Sequence, residues 1–168
     1  NLKKIYQELR DSPKNIMLKE DYLTFNDYMY SFLHCFRILK IKIQNANFNE
    51  INYAQMIYEN YKTFKTYNAS VLALLNYRFV KKLKEIEHPV KVVINRFENQ
   101  IIDKGWNAGF QKYFPQIKII GYQGFIMPPY YLCGYPTRHE KQNNKLPNKI
   151  ALMGEGHIDI KKEFCDDF

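Results

Sequence analysis

Apolar residues recur at three- and four-residue steps through the first half of the chain. Phe25, Met29, Phe32, Phe36, Leu39 and Ile43 make one such stripe, the period of an amphipathic helix. Thr24 followed by Asp27 supplies a capping-box variant at its start, with a side-chain acceptor and a carboxylate three residues on. Ile51, Ala54, Ile57, Tyr58, Tyr61 and Phe64 predict a second helix. Asn68 is placed to cap a third, with Val71, Leu72, Leu75, Phe79, Val80, Leu83 and Ile86 on its inner face. Buried helix faces account for these stripes more simply than contact with a membrane surface does.

The period changes at His88-Pro89. Val90-Lys91-Val92-Val93-Ile94 is a short β-branched run of the kind buried in a parallel sheet. A helical pattern follows through Glu98, Ile101, Ile102, Trp106, Phe110 and Phe114 and stops at Pro115. Ile117 to Ile120 reads as a second strand ended by Gly121, and a long loop rich in Gly, Pro and Tyr runs from Tyr122 to Pro147. Lys149 to Met153 reads as a third strand, closed by Gly154. Strand, helix, strand at this spacing is a βαβ unit whose crossover should be right-handed. The expected fold class is therefore α/β. A mainly helical segment spans residues 1–87, and a Rossmann-like parallel βαβ unit with its long loop spans 88–147. A third strand and the start of a following helix or second domain occupy 148–168.

In open parallel sheets, ligands bind beyond the carboxyl ends of the strands. Residues 95–100, 121–125 and 154–157 fall at that edge, and the fold should unite at least the first two. Glu98 suits a general base or a carboxylate that binds sugar hydroxyls, with Arg96 nearby to pair with it; it equally suits an acid complementing a helix N-terminus. Asn99 and Gln100 add amides that fit polyhydroxylated ligands or an ordinary helix start. Gly121-Tyr122-Gln123-Gly124-Phe125 would let backbone approach a ligand, with rings to stack, or would form a tight turn. Gly154-Glu155-Gly156 has the shape of a phosphate-binding turn but lacks the third glycine of the dinucleotide fingerprint, so a plain turn explains it better.

Charge narrows the partners. Lys plus Arg total 25 against 17 Asp plus Glu, a net charge of +8, which favours anionic ligands. The basic residues come only in scattered doublets such as Lys3-Lys4, Lys81-Lys82 and Lys161-Lys162, so no nucleic-acid partner is expected. Cys35, Cys133 and Cys165 are odd in number and widely spaced, which argues for reduced thiols over a disulfide framework and against structural zinc. His139-Glu140 and His157 lack partners at ligand spacing, so no metal is expected, and no GxSxG motif supplies a nucleophilic serine. His34 reads as a core or boundary histidine. No apolar run reaches the roughly 20 residues that span a bilayer, and Asn1 to Asp11 has no apolar signal core. The chain starts at Asn1 and stops as a new amphipathic segment begins, so it reads as an excerpt of a longer protein.

A succession of short motifs adds a resemblance. Glu98-Asn99-Gln100-x-x-Asp103, Tyr113-Phe114-Pro115, Ile120-Gly121-Tyr122-Gln123-Gly124, Pro136-Thr137-x-x-Glu140, and Leu146-Pro147-x-Lys149-Ile150 with Gly154 resemble bacterial surface-carbohydrate transferases for capsule or O-antigen assembly. These are similar to two-Rossmann-domain (GT-B type) glycosyltransferases, and the resemblance covers about residues 90–156. It implies transfer of a sugar from a nucleotide-sugar donor to a surface polysaccharide or lipopolysaccharide acceptor, with no further cofactor. The setting it implies is cytoplasmic, with peripheral contact with the inner membrane an option. It makes Glu98 the first candidate for the acceptor-activating base and Asp103 the second. Arg96, Asn99, Gln100, Tyr122, Gln123, Gly124, Gly154 and Gly156 become substrate-binding candidates. Gly124 stands where the family pattern often has His, which removes that acid or phosphate ligand. The rival from another class is a non-catalytic, basic helical module that binds a protein or an anionic glycan.

Overall fold

The computed structural model of the chain describes residues 1–43, 46–48, 50–63, 67–126, 128 and 130–165. Phe64 and Tyr61's side chain, both counted in the second stripe, lie outside the described residues, as does the chain end from Asp166 to Phe168. The fold is mixed α/β. Helices α1 (Leu2–Arg10), α2 (Phe25–Phe32) and α3 (His34–Ile38) lead into a small antiparallel hairpin, β1 (Asn47–Phe48) with β2 (Ile51–Asn52). Helices α4 (Ala54–Lys62) and α5 (Tyr67–Glu85) follow. Then come β3 (Val92–Arg96), α6 (Ile101–Tyr113), β4 (Lys118–Gln123), α7 (Arg138–Gln142), β5 (Lys149–Leu152) and α8 (Ile158–Phe164). Strands β3, β4 and β5 form a parallel sheet in that order, with Val93 opposite Ile119 and Gly121 opposite Ile150.

One core joins the two halves across the 87/88 boundary. Phe79, Val80 and Leu83 of α5 meet Phe110 of α6, Phe114, Ile117 and Ile119 of β4. Trp106 stacks on Phe110 with centroids 5.9 Å apart and meets Phe79 edge-on at 5.8 Å. Helices α5 and α6 approach closely because α6 carries Gly105 at the crossing. A Cβ there would lie 2.0 Å from the Ala73 carbonyl oxygen, a backbone atom that cannot step aside. Gly105→Ala is accordingly expected to cost about 1–3 kcal/mol, the range for overpacking, read as a lower denaturant midpoint. An unchanged midpoint would show that the helices separate freely.

Several expectations are corrected. The first stripe is not one buried helix: Leu33, with ψ of 4°, breaks it into α2 and α3, and Ile43 lies beyond both. The stripe is also exposed, Phe25, Met29, Phe32, Phe36 and Leu39 included. The cause is electrostatic. Asp27 and Ser31, on the opposite side of α2, are the buried residues, drawn inward by Arg78 of α5. Ile51 belongs to β2, so the second helix begins at Ala54, and Asn68 falls inside α5 behind Tyr67. In α5, Leu72 is exposed, as is Ile86 just past its end, while Val71, Leu75, Phe79, Val80 and Leu83 are buried.

The sheet departs from the pattern too. The expected first strand is shifted to Val92–Arg96 and is an edge strand, not a buried one. Its Val93 faces α5 and α6, but Val92 and Ile94 are exposed, Ile94 at 68%, on a face that no helix covers among the described residues. β4 runs through Gly121 to Gln123 rather than ending there; a Cβ on Gly121 would lie 2.8 Å from Phe97 Cβ and from the Pro147 ring. The loop expected over 122–147 contains α7, whose Thr137 caps it by accepting from the Glu140 N–H at 3.2 Å. All three cysteines are free thiols.

Candidate functional site

The strand ends gather the chemistry. β3 ends at Arg96, Phe97 is fully buried, and the Phe97 N–H donates to the Tyr122 carbonyl at 2.9 Å, tying the first two edge segments together. Glu98 follows, two residues ahead of the α6 N-cap Gln100, so it is not in the first helical turn. Both of its carboxylate oxygens are engaged: Oε1 with Arg96 Nη2 at 2.5 Å, Oε2 with Gln100 Nε2 at 2.6 Å. These residues, with Ile102 and Asp103, line an open hollow of about 410 Å³.

The capping role considered for Glu98 falls to Asp103. Its Oδ2 accepts from the Glu98 N–H at 2.9 Å and the Gln100 N–H at 3.0 Å, and so holds the strand-to-helix turn. Burial pushes the Asp103 carboxyl above the ordinary range, and the neighbouring Glu98 charge adds to this; the amide donors work against it. Between them the chain turns at Asn99, whose φ of 57° lies in the left-handed region that Asn tolerates better than most residues. Asn99 is buried and spends Nδ2 on the Tyr135 carbonyl at 3.3 Å and Glu140 Oε2 at 3.2 Å; its Oδ1 has no partner among the described residues.

Glu140 is the hub of this network. It accepts from the Thr137 N–H at 3.0 Å and from Asn99, and it pairs with Lys104 of α6. Burial acts to raise its carboxyl, but Lys104, Asn99 and Thr137 outweigh that and hold it below the ordinary range. Tyr135 carries the network to a second space. A cavity of about 220 Å³ opens beyond the ends of β4 and β5, lined by Gln123, Tyr135, Gly156, His157 and Lys161 among others. Gln123 and Tyr135 are buried, and Lys161 is only 7% exposed. The Lys161 ammonium donates to the Gly134 carbonyl at 3.0 Å and lies 5.1 Å from the centre of the Tyr135 ring. Burial pulls its pKa down.

The second and third edge segments thus meet at Gln123 and Gly156, and the first joins them through Asn99 and Tyr135. Tyr122 is exposed on the open sheet face, and Gly124 is exposed behind its ring. Neither Gly154, extended at φ 166°, nor Gly156 sits in the left-handed region, and a Cβ on either would meet nothing within 4 Å, so the turn has room for side chains. Among the described residues no three His, Cys, Asp or Glu side chains cluster as metal ligands. Lys104, Tyr135 and Lys161 were not candidates from sequence. Lys161 had a signal: it lies three residues after Ile158 and four before Cys165, a lysine on the apolar side of α8.

Burying an ammonium against a carbonyl and a ring face has a measurable consequence. Because the folded pKa lies below the unfolded one, the charged form penalises the fold at neutral pH, and the penalty fades as pH rises through the folded value towards about 10.4. Lys161→Met should therefore melt higher than the natural chain at pH 7, with the gap narrowing as pH rises. A gap constant with pH would contradict the assignment.

No family model, no curated protein and no solved structure matches the chain. No helix among the described residues is long and apolar enough to cross a membrane.

Proposed function

We propose that the chain is the acceptor-activating part of a glycosyltransferase of the two-domain GT-B kind, acting on the cytoplasmic side in surface-polysaccharide or lipopolysaccharide assembly. The observation that carries this is Glu98: a carboxylate at the carboxyl end of a parallel strand, gripped by Arg96 and Gln100, opening on a hollow large enough for a sugar ring. The motif resemblance over residues 90–156 supports the same reading.

In the proposed step the acceptor hydroxyl gives its proton to Glu98 as its oxygen bonds to the anomeric carbon of the donor. The bond from that carbon to the nucleotide's phosphate oxygen breaks, and the electron pair leaves with the phosphate. Asp103 keeps the turn in place, its Oδ2 serving two backbone donors. Lys161 is suited to the donor's phosphate charge, because an ammonium with little water around it interacts strongly with an anion. Asn99 couples the two spaces through Tyr135.

Titration with UDP, GDP, CDP and CMP tests the donor side. One nucleotide should bind, and Lys161→Met should weaken it about tenfold or more, the worth of one charge-assisted hydrogen bond. Binding by none of them, or equal binding by the variant, would remove the donor role from this cavity. The exposed rings of α2 and α3 are what a non-catalytic binding module would present, but such a module needs neither hollow at the strand ends.

A further inference from the structure

Helix α2 is turned inside out. Asp27 and Ser31, one turn apart, are fully buried against α5, while Phe25 on the other side is 76% exposed and Phe32 50%. The orientation is fixed by specific contacts: Arg78 grips Asp27, Thr24 donates to it, and the Ser31 hydroxyl donates to the Asp27 carbonyl at 2.9 Å. Across the break at Leu33 the outward stripe continues through Phe36, 60% exposed, and Leu39. Exposed apolar surface on this scale, held out by buried polar contacts, marks a binding face rather than a stray side chain.

The charges beside the stripe say what covers it. Between Phe25 and Ile43 the cations are Lys40 and Lys42, both exposed, and Arg37, half-buried and donating to the Tyr30 carbonyl at 2.6 Å; the only acid is the buried Asp27. A second copy laid on the same face would bring two sets of these cations together. A nucleic acid would find charge but no use for Met29 or Leu39. We propose that the α2–α3 face docks on a lipid bilayer with anionic headgroups, Phe25, Phe32 and Phe36 entering the interface while Lys40 and Lys42 meet the headgroups. Neither helix is long enough to span, so the chain lies on the surface. The docking rests on exposure and charge alone and is read as binding, so it stands or falls separately from the role of Glu98.

Co-sedimentation with vesicles tests it, using phosphatidylcholine alone and phosphatidylcholine mixed with phosphatidylglycerol. The chain should sediment with the mixed vesicles, far less with the neutral ones, and release as salt rises. Phe32→Glu with Phe36→Glu should abolish binding without lowering the melting temperature, since both side chains are exposed. Lys40→Gln with Lys42→Gln should weaken it by roughly 30-fold. No sedimentation with the mixed vesicles at low salt would overturn the proposal, as would binding untouched by the Phe32 and Phe36 changes. A dimer in sedimentation velocity that those two changes dissolve would also overturn it, because the face would then belong to a second copy.

Discussion

Under the proposed function, Glu98→Gln in the intact protein is expected to lower the rate of sugar transfer by about 10²–10⁴-fold, the range for loss of a general base, while the melting temperature stays where it was. Glutamine keeps the size and one acceptor oxygen, so Gln100 and Arg96 can still reach the side chain; what disappears is the group able to take the acceptor's proton. The lost ion pair should cost little stability, since the Arg96 side chain is 77% exposed and exposed pairs contribute about 0–1 kcal/mol. Asp103→Asn should do the opposite, costing about 1 kcal/mol through the weakened turn with the chemistry retained. A Glu98→Gln enzyme with unchanged turnover, or one whose loss tracks unfolding, would leave Glu98 as part of the turn and no more.

The largest stability effect is expected at Asp27. Its side chain is fully buried, and Arg78, itself only 19% exposed, holds it through Nη2 and Nε at 2.5 Å. Removing one partner of such a pair strands the other, so Asp27→Ala should cost about 3–5 kcal/mol, on the order of 6–20 °C in melting temperature. Burial works to raise the Asp27 carboxyl, but the Thr24 and Arg78 hydrogen bonds outweigh it and hold the group below the usual carboxylate range. A folded value below the unfolded one, about 3.9, contributes stability that is whole above that pH and is lost as pH falls through the folded value. Thermal melts from pH 6 downward should show this acid loss in the natural chain and not in Asp27→Asn. Equal acid profiles would contradict the pairing.

The parallel sheet was legible because β-branched runs and the punctuating Pro115 and Gly154 are local signals, as was the cap at Thr24 and Asp27. The facing of α2 was not. Periodicity finds a stripe but cannot tell which side meets the core, and here a partner 51 residues away, Arg78, decides it. Glu98 was placed a turn too late because Asp103, the true capping acid, sits at the same spacing from Gln100 that capping requires. The edge position of β3 depends on the sheet order, which no short window contains. Tyr135 reaches the site from the long connection between β4 and β5 and Lys161 from α8 beyond β5, so their meeting is a property of the fold and not of any motif.

Sugar transfer itself is the most direct test of the central claim. The intact protein would be incubated with labelled UDP-, GDP- and CMP-sugars and a glycan acceptor extracted from bacterial envelopes, and both product and released nucleotide would be followed. The account predicts that one donor labels the acceptor, with nucleotide released in equal amount, and that Glu98→Gln suppresses both. A folded protein that transfers from none of these donors, or a Glu98→Gln variant that transfers as well as the natural chain, would contradict it.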